Sequence, residues 1–82
     1  MCMSIPGQIT NIIDSALRIA LVDVLGQPRT INLRLLSEGE GAVGDWVLVH
    51  AGLAISRVDA ADAHTIITML EAWDQLDQEE RP

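Results

Sequence analysis

The hydrophobic period changes once along this chain, at Asp59. Before it, apolar residues recur mostly at every second position in short runs. After it they recur three and four apart. One domain of 82 residues must therefore set a single C-terminal helix against several short strands that precede it. Ala63, Ile66, Ile67, Leu70 and Trp73 form the helical stripe. Asp59 stands at the N-cap position, and Asp62 puts an acid in the first turn, where the amide dipoles favour negative charge. The helix is expected over 59–76, with a polar, frayed tail at 77–82.

Five strands are expected upstream, at 8–13, 16–24, 29–35, 46–50 and 53–58. Ile5-Pro6-Gly7 reads as a turn that separates an N-terminal arm, residues 1–7, from a barrel over 8–58. In the second strand Leu17, Ile19 and Leu21 share one face, and Val22 and Val24 take the other. That phase change is the mark of a β-bulge near Leu21 and Val22. In the third, Ile31, Leu33 and Leu35 are expected to face inward, with Thr30, Asn32 and Arg34 outward. In the fourth, Trp46, Leu48 and His50 lie on one side and Val47 and Val49 on the other. Short strands broken by glycines and a phase fault favour closure. The predicted fold is mainly β, a small OB-like five-stranded barrel with a C-terminal α-helix; an open sheet with the helix across one face is the other layout.

Charge narrows the function. The net charge is −7, and the five basic residues are all arginines, scattered along the chain. A nucleic-acid binder needs a basic face to displace counterions, and a single-strand binder needs stacking aromatics. This chain has only Trp46 and Trp73. An anionic membrane surface is disfavoured for the same reason. No apolar run is long enough to span a bilayer, and no leader-like segment opens the chain. With one cysteine no internal disulfide forms, which fits a reducing compartment; the expected location is cytoplasmic.

Three side chains are candidates for chemistry. Cys2 stands one residue from the amino terminus, where a cysteine that merely fills core space is not expected. Removal of Met1 would put a thiol and a free α-amine on one residue. His50 closes an apolar strand just before Ala51-Gly52, a position that suits a satisfied structural histidine as well as a ligand. His64 lies one position off the helical stripe and reads as a partly exposed surface residue. No CxxC pair, HExxH or phosphate-binding loop is present. No third group is identifiable that would orient a Cys–His nucleophile, so an enzyme is not expected.

Two blocks carry a family resemblance. Met1-Cys2-Met3-Ser4-Ile5-Pro6-Gly7-Gln8 resembles the N-terminal signature of the HypC/HupF/HybG family of nickel–iron hydrogenase maturation chaperones. Gly44-Asp45-Trp46-Val47-Leu48-Val49-His50-Ala51-Gly52-Leu53-Ala54-Ile55 is similar to that family's second motif. Met3 and Ser4 stand where aliphatic and smaller residues are commoner, and Leu53 replaces a frequent aromatic. The resemblance implies a complex with the scaffold protein HypD that holds an iron fragment, Fe(CN)2CO, and delivers it to the precursor of the hydrogenase large subunit. It maps the family's cysteine onto Cys2 and its histidine onto His50, as residues that hold the fragment and contact partners. Thiolate suits a soft low-spin iron, and imidazole is the next natural ligand from this chain. The alternative is a metal-free OB-type interaction module that chaperones or protects the apo-subunit, including from oxygen.

Overall fold

The computed structural model describes residues 4–37 and 39–80, with side chains described as far as residue 72. Five strands and one helix follow in order: β1 (Ile5–Asp14), β2 (Ile19–Val24), β3 (Gln27–Asn32), β4 (Trp46–His50), β5 (Leu53–Val58) and α1 (Ala60–Glu80). The strands close into a barrel in the order β1-β2-β3-β5-β4, with β4 returning to β1. This is the expected mainly-β barrel with a C-terminal helix.

β1 is long enough to serve two neighbours. Its first half pairs antiparallel with β4, from Ile5↔Val49 to Gln8↔Trp46, and most of its length pairs with β2. Ile5-Pro6-Gly7 is therefore strand and not a turn, and the barrel begins at Ile5 rather than at residue 8. Two properties of the residues explain this. Pro6 is tolerated near a strand's start, and here it is fully buried. Gly7 stands opposite both Val24 and Val47, and a Cβ there would lie 2.5 Å from Val22 Cγ1. The glycine marks a close approach of two strands.

The expected phase fault is also placed differently. β2 alternates regularly, with Ala20 and Val22 fully buried and Val24 half-buried. The register slips on β1 instead, between Ile9 and Asn11 and again between Ile12 and Asp14. The slip at Thr10 faces Leu21 and Val22, so the irregularity sits at the expected level of the ladder but on the opposite strand. Thr10 Oγ1 donates to the Leu21 carbonyl there, at 3.2 Å. Leu17, counted in the sequence pattern as strand, belongs to a turn held by its own N–H donating to Asp14 Oδ1 at 3.0 Å.

β3 ends at Asn32, short of the expected residue 35. Asn32 Oδ1 accepts from the Arg34 N–H at 2.8 Å, a side-chain turn that diverts the backbone. Leu35 is consequently 60% exposed, and Leu36 is turned inward in its place. Leu25-Gly26 joins β2 to β3 with φ of 52° and 86°, the pair of positive values a two-residue hairpin demands.

The core is one cluster: Ile9, Ala20, Val22, Ile31, Leu33, Leu36, Val47 and Ala54. α1 packs on β1 and β4 through fully buried Ala63, with Ile66, Ile67 and Leu70 half-buried. The Asp59 carbonyl accepts the first helical bond, from Ala63 N–H at 2.9 Å. The helix runs to Glu80, past the expected end at 76, because Gln78, Glu79 and Glu80 sustain it and no glycine or proline intervenes. Trp73, the last residue of the expected stripe, lies outside the described side chains.

Candidate functional site

The barrel is closed unevenly. β1 and β4, and β4 and β5, share full ladders, whereas β3 and β5 share a single parallel pair, Asn32↔Leu53. The Asn32 N–H donates to the Gly52 carbonyl at 3.0 Å, and this bond fastens the seam. Gly52 belongs to the two-residue turn Ala51-Gly52, with φ of 54° and 80°. That turn follows directly on His50, the last residue of β4.

Beside the seam opens a cleft of about 440 Å³. Its apolar lining comes from Ile5, Val24, Ile31 and Val49. His50, Ala51 and Gly52 form one rim, and Arg29 and Thr30 another. His50 is half-buried there. As expected, Val47 and Val49 lie on the opposite side of β4 from Trp46, Leu48 and His50; Val47 is fully buried and Val49 packs against the core.

Cys2 lies outside the described residues. The place where its segment joins the barrel is defined: Ile5 pairs with Val49, the neighbour of His50. Three residue steps separate Cys2 from Ile5, a span of at most about 10 Å when extended. The segment bearing the thiol is thus rooted beside the strand end bearing the imidazole. Among the described residues no group of three or more His, Cys, Asp or Glu side chains gathers to hold a metal ion. Any metal bound at His50 would draw further ligands from residues outside the described set, from solvent or from another molecule.

His64 has a different setting. It is exposed on α1, and its ring meets Trp46 edge-on, with centroids 5.2 Å apart and planes at 67°. This aromatic contact joins helix to barrel. Asp45, in the second motif, is an organiser of the preceding loop. Its Oδ2 accepts from the N–H groups of Gly41 (3.2 Å) and Ala42 (3.1 Å). The Ile9 N–H donates to its carbonyl at 2.9 Å. Arg57 Nε lies 3.8 Å from the same Oδ2, half-exposed, and adds little.

Arg29 was not among the side chains singled out by sequence. The signal was its parity: residue 29 shares a face of β3 with Ile31, which is buried in the core.

Fold and cleft together define a small helix-flanked β-barrel with one histidine at the mouth of an incompletely closed seam. Residues 1–70 match the model of the HupF/HypC family. The chain is 45% identical over 65 residues to the hydrogenase maturation factor HypC of Rhodobacter capsulatus, covering 77% of this chain and 68% of that one. It is 37% identical over 76 residues to the hydrogenase maturation factor HybG of Escherichia coli K12, covering 90% and 93%. It is 38% identical over 81 residues to the Frd operon uncharacterized protein C of Proteus vulgaris, covering 96% and 84%. The chain belongs to the HupF/HypC family. Among the described residues no helix is long and apolar enough to cross a membrane.

Proposed function

We propose that this chain is a cytoplasmic maturation chaperone for a nickel–iron hydrogenase, acting as a carrier and not as an enzyme. Together with HypD it holds the Fe(CN)2CO fragment and delivers it to the large-subunit precursor. Cys2 supplies a thiolate and His50 an imidazole, with HypD completing the site. The observation that carries this reading is the β1–β4 register, which roots the Cys2 segment at the strand end occupied by His50.

The chemistry fits a carrier. A four-ligand cage built from one chain holds its metal too firmly to hand it on. Two donors, one of them on an arm only a few residues long, make a site that a partner completes and then dismantles. Thiolate and imidazole both suit low-spin iron. The relatives named as hydrogenase maturation factors support the pathway, and the cleft supplies an apolar setting beside the histidine.

The test is infrared spectroscopy of the chain co-purified with HypD. The expected result is cyanide and carbon monoxide bands with bound iron in the native pair, and loss of both in the Cys2→Ala pair. A Cys2→Ala protein that keeps the bands and matures hydrogenase in full would overturn the carrier reading. A native pair lacking the bands that nonetheless protects the precursor would favour the metal-free interaction module.

A further inference from the structure

We propose that Arg29 is a binding residue of this cleft, the guanidinium that takes the anionic cyanide end of a cargo held beside His50. The inference rests on the carrier reading and adds to it a specificity-determining residue.

The argument begins with the barrel's geometry. In the β2–β3 ladder Ala20 faces Ile31, Val22 faces Arg29 and Val24 faces Gln27. Ala20, Val22 and Ile31 are all buried, so this face of β3 points toward the core. Arg29 therefore occupies a register position that a fully closed barrel would fill with an apolar side chain. It is exposed because β5 pairs with β3 only at Asn32 and leaves the strand uncovered from Thr30 back to Gln27. The open seam turns an inward position into a wall of the cleft that His50 also lines.

The charge is equally particular. The chain carries −7 overall, with five arginines. Among the described side chains lining this cleft, Arg29 is the only one that is permanently charged. Its Nη2 donates to Gln27 Oε1 at 3.1 Å, a neutral partner on the same strand, which steadies the group and leaves its charge unneutralised by that contact. A guanidinium presents several N–H donors in a fixed plane. Iron-bound cyanide carries negative charge and accepts hydrogen bonds at nitrogen, whereas carbon monoxide accepts them poorly. A cleft with Arg29 on its β3 wall and apolar Ile5 and Val49 on its β1 and β4 side thus offers different surroundings to the two kinds of diatomic ligand.

The test compares four proteins, each co-expressed and co-purified with HypD: the native chain, Cys2→Ala, Arg29→Gln and Arg29→Lys. Iron content, infrared bands and HypD recovery are measured for each. The expected result for Arg29→Gln is unchanged HypD recovery, iron content lower by roughly tenfold to a hundredfold, the range for loss of one charged hydrogen bond, and displaced cyanide bands in what remains. Arg29→Lys should retain most of the iron but shift the cyanide bands, because a point charge replaces a planar donor. Native iron content and band positions in Arg29→Gln, with loss in Cys2→Ala, would overturn the role of Arg29 and leave the carrier reading standing. Parallel loss of HypD and iron with unmoved bands would make Arg29 a partner contact and also overturn the proposal. Absence of diatomic bands from the native pair would overturn both readings.

Discussion

Val49 stands opposite Ile5 in the β1–β4 ladder, one residue before His50. The pairing ties the first motif of the sequence to the second, although residues 9–43 lie between them. It sets the histidine of β4 against the entry point of the cysteine-bearing segment. The two motifs therefore meet as one structural feature, and substitutions in them should separate from substitutions elsewhere on the barrel.

The two histidines should part cleanly. His50 lines the cleft, and His64 packs on Trp46 at the helix. His50→Ala is expected to depress hydrogenase maturation at least tenfold while lowering stability by no more than about 1 kcal/mol, as for a half-buried rim residue. His64→Ala is expected to leave maturation unchanged and cost about 0.5–1 kcal/mol through loss of the edge-to-face contact. Maturation assays run beside urea melts distinguish the two. Equal maturation in both variants would remove His50 from the site.

Gly7 is placed for a stability test. A Cβ added there would meet Val22 Cγ1 at 2.5 Å, Val24 Cγ2 at 3.1 Å and the Asp23 carbonyl oxygen at 3.2 Å. Neither Val22, fully buried, nor the backbone of Asp23 has room to yield. Gly7→Ala should destabilise by about 1–3 kcal/mol, the usual range for overpacking a core. A shift of the urea midpoint with an unchanged slope is the expected form. Because β1 meets both β2 and β4 at this residue, the entry of the Cys2 segment should loosen too, visible as faster amide exchange at Ile5 and Val49.

Much of this fold was legible in the sequence, and the failures have identifiable causes. β4 and β5 fall where alternation put them, at Trp46–His50 and Leu53–Val58, and the period change at Asp59 marks the helix. Pattern failed where a tertiary constraint overrode a local signal. Pro6 and Gly7 look like a turn until β2 is seen to press on Gly7. Leu17, Ile19 and Leu21 look like a core face until Leu17 is found in a turn, leaving Ala20 and Val22 to fill the interior. Leu35 breaks its alternation because the Asn32 side chain captures the next backbone N–H but one. Of the candidate site, the place of His50 at the end of β4 could be read from alternation, whereas its role as a ligand was implied by the family resemblance alone. The pairing that brings residue 5 to residue 49 could not, since register depends on partners far away in sequence. Arg29 escaped notice because its parity matters only once the seam beside it is known to be open.

Asp45 should matter for the loop and not for cargo. Its carboxylate accepts from the backbone of Gly41 and Ala42 and holds the loop folded, while the backbone of Gly44 and Asp45 fastens it to Ile9 of β1. Asp45→Ala leaves both N–H groups without that acceptor and is expected to cost about 1–3 kcal/mol. Hydrogen exchange should rise at Gly41, Ala42 and Gly44 ahead of the barrel core. Below the melting temperature, the protein that remains folded should retain its capacity to bind iron with HypD.

The Leu25-Gly26 turn offers the opposite experiment, a gain of stability away from the proposed carrier residues. Leu25 holds a φ of 52° and is half-exposed, so a bulky side chain occupies a left-handed position with only half its surface buried in return. Asparagine tolerates that backbone far better, and Asn-Gly is the preferred pair for a two-residue hairpin with both φ values positive. Leu25→Asn should therefore raise stability by about 0.5–1 kcal/mol and move the melting temperature upward by a few degrees. Removing an exposed leucine at a hairpin tip should also reduce self-association at high concentration. If Leu25→Asn instead weakens HypD recovery while raising the melting temperature, the strained leucine is a docking residue whose unfavourable conformation serves the complex. An unchanged or lowered melting temperature would mean that contacts of the Leu25 side chain outweigh the backbone cost.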